Sequence, residues 1–360
     1  MIRVLHIVGS LERNGIETFL MNVYRNIDRE KVQFDFAIYN EPSANSYEQE
    51  VRSLGGKVYM LSKKSDGFIA YLSSLKRVIK ENNYKIVWRS TDSCIGGSDL
   101  IVAAFAGANY RVLHAHSSSI FGVSKYIHYL LRPFCNMATN KRVACGEAAA
   151  KWMFGGRTAE IMQNGINTAA FQFDESIRQE YREQFSVEEK IVIGNVGRLE
   201  EVKNPLFLID VFNAFHRKNR NSALFLIGTG DLLEECKKKV EGYGIADDVF
   251  FLGTRPDVAK LLQMFDVFVM PSIYEGFPVA MIEAQDAGLP CVVSDTVPKE
   301  TNILGQVQFV SLDAGLEEWC SAISGKIGVR VENASNAMFD KGYDINRVVQ
   351  RAEEIVLGMK

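Results

Sequence analysis

The stretch PSIYEGFPVAMIEAQDAGLPCVVSD, residues 271–295, decides how the rest of the chain is read. The apolar run Val267–Met270 in front of it has the length of a buried strand. Gly276 allows a tight turn, and Val279 to Ala287 has the spacing of a helix packed on a sheet. Glu275 and Glu283 stand eight residues apart, a little over two helical turns. If both lie near the helix they point towards one side, with Glu275 at its mouth. The backbone N–H groups after Glu275, among Gly276, Phe277, Val279 and Ala280, then line a helix N-terminus, a setting that suits phosphate. A nucleotide sugar needs such a segment: a carboxylate for the ribose diol, another for sugar hydroxyls, and backbone donors for the diphosphate between them. Two glutamates at this spacing are, by themselves, equally compatible with solvated helix positions.

Outward from this block, apolar runs of strand length recur with helix-length spacers. In the first half they are Val4–Val8, Phe34–Ile38, Val58–Leu61, Ile86–Trp88, Val112–Ala115 and Val143–Cys145. In the second half they are Ile191–Val196, Leu224–Ile227, Val249–Leu252, Val267–Met270, Cys291–Val293 and Val307–Val310. Strand, helix, strand repeated in this way predicts an α/β protein with a doubly wound parallel sheet in each half. The length of 360 residues with 47% apolar content agrees, being too much for one ordinary core. The charged stretch Phe171–Lys190 is the expected linker. Tyr343–Met359 reads as a closing helix with Val348, Val349, Ala352 and Val356 on one side.

Composition narrows the class further. Cys94, Cys135, Cys145, Cys236, Cys291 and Cys320 form no C-x-x-C pair and no short secreted framework, so they read as buried thiols in a reducing cytoplasm. No uncharged apolar run approaches about 18 residues, which predicts a soluble or peripheral protein. The net charge of −3 conceals an asymmetry: residues 1–165 hold 21 Lys+Arg against 14 Asp+Glu, and residues 166–360 hold 20 against 30. From Leu100 to Gly146 there is no acidic residue, while Arg111, Lys125, Arg132, Lys141 and Arg142 fall there beside the aromatics of SKYIHYLLRPF. That stretch reads either as a contact with anionic lipid headgroups or a phospholipid-linked acceptor, or as an ordinary solvated face over a buried helix. The basic residues are dispersed and no recognition motif accompanies them, so nucleic acid is not an expected partner.

Ligands of open α/β sheets bind at the carboxyl ends of the strands, and the loops there carry the remaining candidates. Gly197-Arg198-Leu199 follows a strand, and Lys203 precedes Asn204-Pro205, where Asn204 is the expected N-cap and Pro205 the first helical residue. A guanidinium fork and an ammonium point charge at such a place suit a diphosphate, although as an isolated pair they read equally as surface charges. Gly228-Thr229-Gly230 follows another strand and would let the backbone approach a nucleotide. It is not the G-x-G-x-x-G fingerprint, because Leu233 stands where the last glycine would be, and this disfavours a nicotinamide enzyme. On the first half, Asn14-Gly15 opens a helix after the first strand, with Asn14 tolerant of positive φ. His116 ends a strand, and His114 shares its face. No D-x-D occurs and no metal-ligand spacing is present, so no metal or other cofactor is expected and leaving-group charge falls to Arg198, Lys203 and helix N-termini.

These residues together carry a family resemblance. EGFPVAMIEAQDAGLPCVVSD resembles the glutamate motif of GT-B glycosyltransferases of family 4, particularly those that build capsular polysaccharides and exopolysaccharides. NGIETFLMNVYRNID (14–28), LHAHSSS (113–119), QNGIN (163–167), GRLEEVKNP (197–205), LIGTGDL (226–232) and FLGTRPDV (251–258) fall in that family's order, over nearly the whole chain. The resemblance implies two Rossmann-like domains facing across a cleft. Residues 1–168 would bind the acceptor, with a C-terminal helix at 343–360 crossing back, and residues 187–340 would bind the nucleotide sugar. It also implies a retaining, metal-independent transfer of a hexose or N-acetylhexosamine from a nucleoside-diphosphate sugar, UDP favoured, to a growing polyprenyl-linked or oligosaccharide acceptor. Such a protein would be cytoplasmic, with a peripheral place on the inner face of the membrane. Arg198 and Lys203 correspond to the family's diphosphate ligands, Glu283 to its ribose contact, and Glu275 to its donor-sugar contact. Arg255 corresponds to a base contact and His116 to the histidine beside the sugar. The chain departs from the pattern in two places: Asn14 stands where the family has a glycine, and Gly146 where it has a serine. Asn164-Gly165 matches a turn at the domain junction and reads as a hinge. A nucleotide-sugar 2-epimerase and a non-catalytic GT-B partner protein share the architecture and are the alternatives.

Overall fold

A computed structural model describes residues 1–43, 46–118 and 124–358, so Ser119 of the LHAHSSS motif and Met359 and Lys360 of the expected closing segment lie outside the described residues. The chain divides into two compact units, Met1–Gly165 with Gly342–Lys360, and Ile166–Lys341.

The first unit is built on seven strands: β1 Ile2–Ile7, β2 Val32–Ile38, β3 Val58–Met60, β4 Ile86–Thr91, β5 Tyr110–Ala115, β6 Lys141–Ala144 and β7 Glu160–Ile161. All pair in parallel, in the order β3-β2-β1-β4-β5-β6-β7. The short edge strand β7 has no apolar run and is not legible in the sequence. Every residue of β2 is buried, Asp35 included. Its carboxylate accepts bonds from the Arg3 guanidinium at 2.6 and 2.5 Å, from the Tyr84 hydroxyl at 2.6 Å and from the Lys57 backbone at 2.7 Å. A charge buried in a sheet persists only with such complete satisfaction.

The second unit holds six parallel strands: β8 Ile191–Val196, β9 Ser222–Ile227, β10 Val249–Gly253, β11 Val267–Met270, β12 Cys291–Ser294 and β13 Val307–Val310. They run in the order β10-β9-β8-β11-β12-β13. Both sheets therefore reverse winding once, between β1 and β4 in the first and between β8 and β11 in the second. Those switch points open a crevice at the carboxyl ends of the strands.

Phe171–Lys190 is not a linker. Most of it forms the helix Glu175–Gln184, capped by the Asp174 side chain, and it belongs to the second unit. Its charges are internal fastenings: Arg178 reaches Asp266 at 2.5 Å, Arg182 reaches Asp266 at 3.3 Å, and the Tyr181 hydroxyl donates to Asp257 at 2.9 Å. Read without partners, the same charges resemble a solvated connection. The closing helix is Ile345–Leu357, and it packs on Gly15–Asn26 in the first unit with Ile345, Val348, Val349, Ala352, Ile355 and Val356 buried. Gly165 abuts it so closely that a Cβ there would lie 2.7 Å from Val348, which is why that position takes glycine. The six cysteines are free and buried.

Candidate active site

The switch point of the second sheet brings together the loops after β8 and β11. A short 3-10 turn, Glu201–Lys203, leads into the helix Pro205–Lys218, which starts on Pro205 as its sequence predicts. Asn204 does not cap it with its side chain. It adopts a left-handed conformation, φ 57°, that turns the chain into the helix, and asparagine tolerates this better than most residues. The Ile273 backbone donates to the Val202 carbonyl at 2.8 Å, tying the two loops side by side. Lys203 and Glu275 meet as a result. The Lys203 ammonium donates to both oxygens of Glu275, at 2.6 and 2.7 Å, and the Ser272 hydroxyl donates to Oε1 at 2.6 Å. Glu275 is only 6% exposed, so this pairing holds a buried carboxylate where the loops after β8 and β11 meet. Ser272, three residues before Glu275, was not singled out in the sequence, and its hydroxyl at that spacing is the signal it offered.

Beside this pair lies the helix Val279–Asp286, with Pro278 at its N-cap. Glu275 precedes it in the loop, so helical spacing does not relate the two glutamates. What the helix does show is one open face: Val279, Ala280 and Glu283 are half-buried, and the other five residues are buried. Positions i, i+1 and i+4 share one side, so Glu283 stands one turn below the free backbone N–H groups of Val279 and Ala280. Burial pushes the Glu283 carboxyl up to about 8, and Asp286 adds to the rise. Gly276 is half-buried and Phe277 buried in the connecting loop.

The ends of β8, β9 and β10 complete the edge. The half-exposed Arg198 guanidinium lies 2.6 Å from Glu200. A Cβ on Gly197 would meet nothing, which leaves space over the end of β8. Gly228 differs: at φ +135° its Cβ would sit 2.0 Å from the Gly197 carbonyl oxygen, so the missing side chain makes room for the neighbouring loop, not for a ligand. Its amide donates to the Gly253 carbonyl at 2.8 Å. The Arg255 guanidinium closes a fork on Asp257, at 2.8 and 2.6 Å, and holds that carboxylate down at about 2.

In the first unit, Asn14 is extended, at φ −99°, and Gly15 begins the helix Gly15–Asn26 with no left-handed residue. The turn therefore does not need the conformational tolerance that the sequence suggested for Asn14. A Cβ on Gly15 would meet nothing. His116 follows β5 and is buried, its ring 4.0 Å from that of His114 and 5.3 Å from that of Phe19. Burial lowers its pKa to about 3, so the imidazole is neutral at physiological pH. Glu17 lies in the first turn of Gly15–Asn26, after β1, and Asp92 in the loop after β4, across the switch point. Burial pushes the Glu17 carboxyl up to about 7. Neither was singled out in the sequence, where Glu17 passes for an ordinary first-turn helix glutamate. Among the described residues no group of three or more His, Cys, Asp or Glu is placed to hold a metal ion.

The comparisons agree with this geometry. Residues 177–310 match the family described as glycosyl transferases group 1. EpsF of Bacillus subtilis, named as a glycosyltransferase, is 36% identical over 338 residues, covering 89% of this chain and 87% of that one. The UDP-Gal:alpha-D-GlcNAc-diphosphoundecaprenol alpha-1,3-galactosyltransferase of Escherichia coli is 26% identical over 314 residues, 80% of this chain and 79% of that one. Among solved structures, HepE of Anabaena in complex with UDP superposes with a TM-score of 0.79 at 19% identity, over 99% of this chain and 100% of that one. The last is a likeness of fold, and that fold is GT-B, two Rossmann-like parallel-sheet domains. With more than a third of its residues shared with a named glycosyltransferase over most of both lengths, the chain belongs to the group 1 glycosyltransferases whose motifs it resembles.

Proposed function

We propose that this protein is a retaining, metal-independent glycosyltransferase that moves a hexose or N-acetylhexosamine from a UDP-sugar to a growing, lipid-linked cell-surface polysaccharide. It acts in the cytoplasm, at the inner face of the membrane. The observation that carries the reading is the Lys203–Glu275 pair at the switch point of the second sheet, beside the open face of Val279, Ala280 and Glu283. An ammonium has three hydrogens, and Glu275 takes two, so Lys203 keeps one for a phosphate oxygen while holding the carboxylate in place. Arg198 adds a fork donor, and the first amides of Val279–Asp286 add the helix N-terminus. Charge that builds on the departing diphosphate is met by these groups.

Glu275, fixed by Lys203 and Ser272, orients sugar hydroxyls. Glu283, protonated at neutral pH, both donates to and accepts from the ribose diol. His116 belongs to the same proposal as a neutral donor or acceptor towards the sugar, and Arg255 as a contact to the base once its fork opens from Asp257. The acceptor hydroxyl attacks on the face from which UDP leaves, so the anomeric configuration is kept and no covalent intermediate on the protein is needed. UDP and the lipid-linked acceptor are supported by the Anabaena complex and by the name of the Escherichia coli relative.

The test combines melting curves with product analysis. A rise in Tm with UDP or its sugars, and not with GDP or ADP, is expected, because a ligand of the folded state alone must raise it. Incubation with a diphosphate-lipid acceptor should give an axial-to-axial or equatorial-to-equatorial transfer without added magnesium. An inverted linkage, a strict metal requirement, or epimerised donor formed without acceptor would each overturn part of the reading.

A further inference from the structure

We propose that the cleft framed by the helix Glu175–Gln184 and the segment Gly328–Arg330 is a second ligand site, which takes a phosphate group, free or carried on a small polyol. The cleft measures about 260 Å³ and is lined by Phe173, Glu175, Arg178, Asp266, Val329 and Arg330 among others, all of the second unit. Phe265 and Asp266 immediately precede β11, so the cleft lies at the amino end of that strand, whereas Glu275 follows its carboxyl end. Its wall is a pair of like charges. Arg178 donates to the carbonyls of Gln263 and Phe265, at 3.0 Å each, and Arg330 donates to the same two, at 3.1 and 2.7 Å. Two guanidiniums that share both acceptors stand side by side. The helix Val258–Met264 ends at these carbonyls, which explains why cations gather there, but a helix end supplies only about half a negative charge.

The carboxylate in contact, Asp266, is shared by Arg178 at 2.5 Å and Arg182 at 3.3 Å, and it also accepts from the Val192 backbone at 2.7 Å. Arg330 has no carboxylate partner among the described residues. It is held by carbonyls, that of Ala287 included, and by the Phe173 ring, whose centre lies 4.1 Å from its guanidinium carbon. Three guanidiniums thus gather about one carboxylate, with Glu175 exposed at the rim. Burial lowers the Arg330 pKa to about 9, and the charge of Arg178 adds to the fall. A cation so placed costs free energy that an anion in contact recovers.

Geometry selects the ligand. Of five N–H groups each, Arg178 and Arg330 commit three to the bonds above, which leaves two apiece. A phosphate offers three terminal oxygens to two adjacent forks, where a carboxylate offers two. The volume falls below the roughly 300–1,000 Å³ of ordinary small-molecule pockets, so the cleft admits a phosphate on a few carbons and not a nucleotide sugar. Val329, exposed at the mouth, and Phe173 give such a carbon chain an apolar side to lie on. The site stands on the charges of the second unit and does not rest on the proposed function.

The full chain is to be titrated calorimetrically with inorganic phosphate, glycerol 3-phosphate and glycerol, at fixed ionic strength in chloride. Saturable binding of the phosphates and none of glycerol is expected. Tighter binding of glycerol 3-phosphate assigns the site to an ester, and equal binding assigns it to the free ion. Val329→Glu sets a carboxylate at the mouth without touching the bonds that hold the arginines, and should weaken binding by at least about tenfold. Glu175→Gln removes the rim charge and should tighten it roughly threefold. Lys203→Ala, in the candidate active site, should leave it unchanged. The proposal is overturned if neither phosphate binds the wild type, if glycerol binds as well as its phosphate, or if Val329→Glu binds as the wild type does. It is also overturned if Lys203→Ala abolishes binding, which would place the anion with the donor diphosphate instead.

Discussion

Lys203 and Glu275 are 72 residues apart in the chain and share two hydrogen bonds. Each was a candidate from its own motif, but their contact is not visible in either. Lys203→Ala should lower turnover by orders of magnitude, since the transition state loses a cation at its developing charge. It should also lower Tm, because a buried carboxylate is left with Ser272 alone. Adding Glu275→Gln should recover part of that Tm, with a coupling of about 0.5–3 kcal/mol in a double-mutant cycle; strictly additive effects would show that the pair is not energetically linked. Glu283 predicts a pH dependence. Its folded-state pKa, about 8, stands above the ordinary glutamate value of 4.5, so between them the folded chain holds a proton that the unfolded chain has released. The stability it contributes is complete below the unfolded pKa and declines as pH rises towards about 8. Glu283→Gln should therefore gain stability relative to the wild type as the medium goes from acidic to mildly basic. Melting curves that stay a constant distance apart across that range would contradict it.

At the scale of elements, every strand but the short edge strand β7 was legible, whereas the pairing of charged side chains was not. The twelve apolar runs all became strands, because a parallel sheet covered on both faces must be apolar on both faces and so leaves continuous runs. The helix Glu175–Gln184 was read as a linker because its charges find their partners in other elements. Strands β1 and β5 carry His6 and His114, with His116 just after β5, and the ring nitrogens of His6 and His114 make no hydrogen bond to any described residue of the core. Burial takes His6 and His116 down to about 3 and His114 well below its ordinary value. A base depressed in the folded state leaves stability intact above its unfolded pKa and loses it as pH falls below that value. His6 sits 4.1 Å from Phe34 and near Phe36 and Trp88, so His6→Phe keeps the packing. The variant should match the wild type near neutral pH and be more stable by about 2 kcal/mol at about pH 5, measured by urea unfolding. A gain of the same size at both pH values would assign it to packing instead.

For the whole molecule, the closing helix is the feature with the largest leverage, because it completes the core of a unit whose other residues end at Gly165. A chain ending at Lys341 should lose the transition of the first unit in calorimetry, or show it at much lower temperature, while the second unit melts as before. An unchanged first transition would mean that the helix covers the core without supporting it. Such a dependence was foreshadowed by the stripe of Val348, Val349, Ala352 and Val356, but the surface it joins was supplied by family resemblance, not by the stripe. The same division holds throughout. Local sequence, by its apolar runs, turn residues and motif order, determined the two parallel sheets, the family, and which loops carry the candidates, since these depend on neighbours along the chain. Tertiary structure alone decided that Lys203 and Ser272 fasten Glu275, that Arg255 is held by Asp257, and that Glu17 is buried at a switch point. It also decided that the helix Ser124–Ala138 turns its apolar side outward. Burial and pairing are set by what the fold places opposite a side chain, and a linear pattern records only what stands beside it.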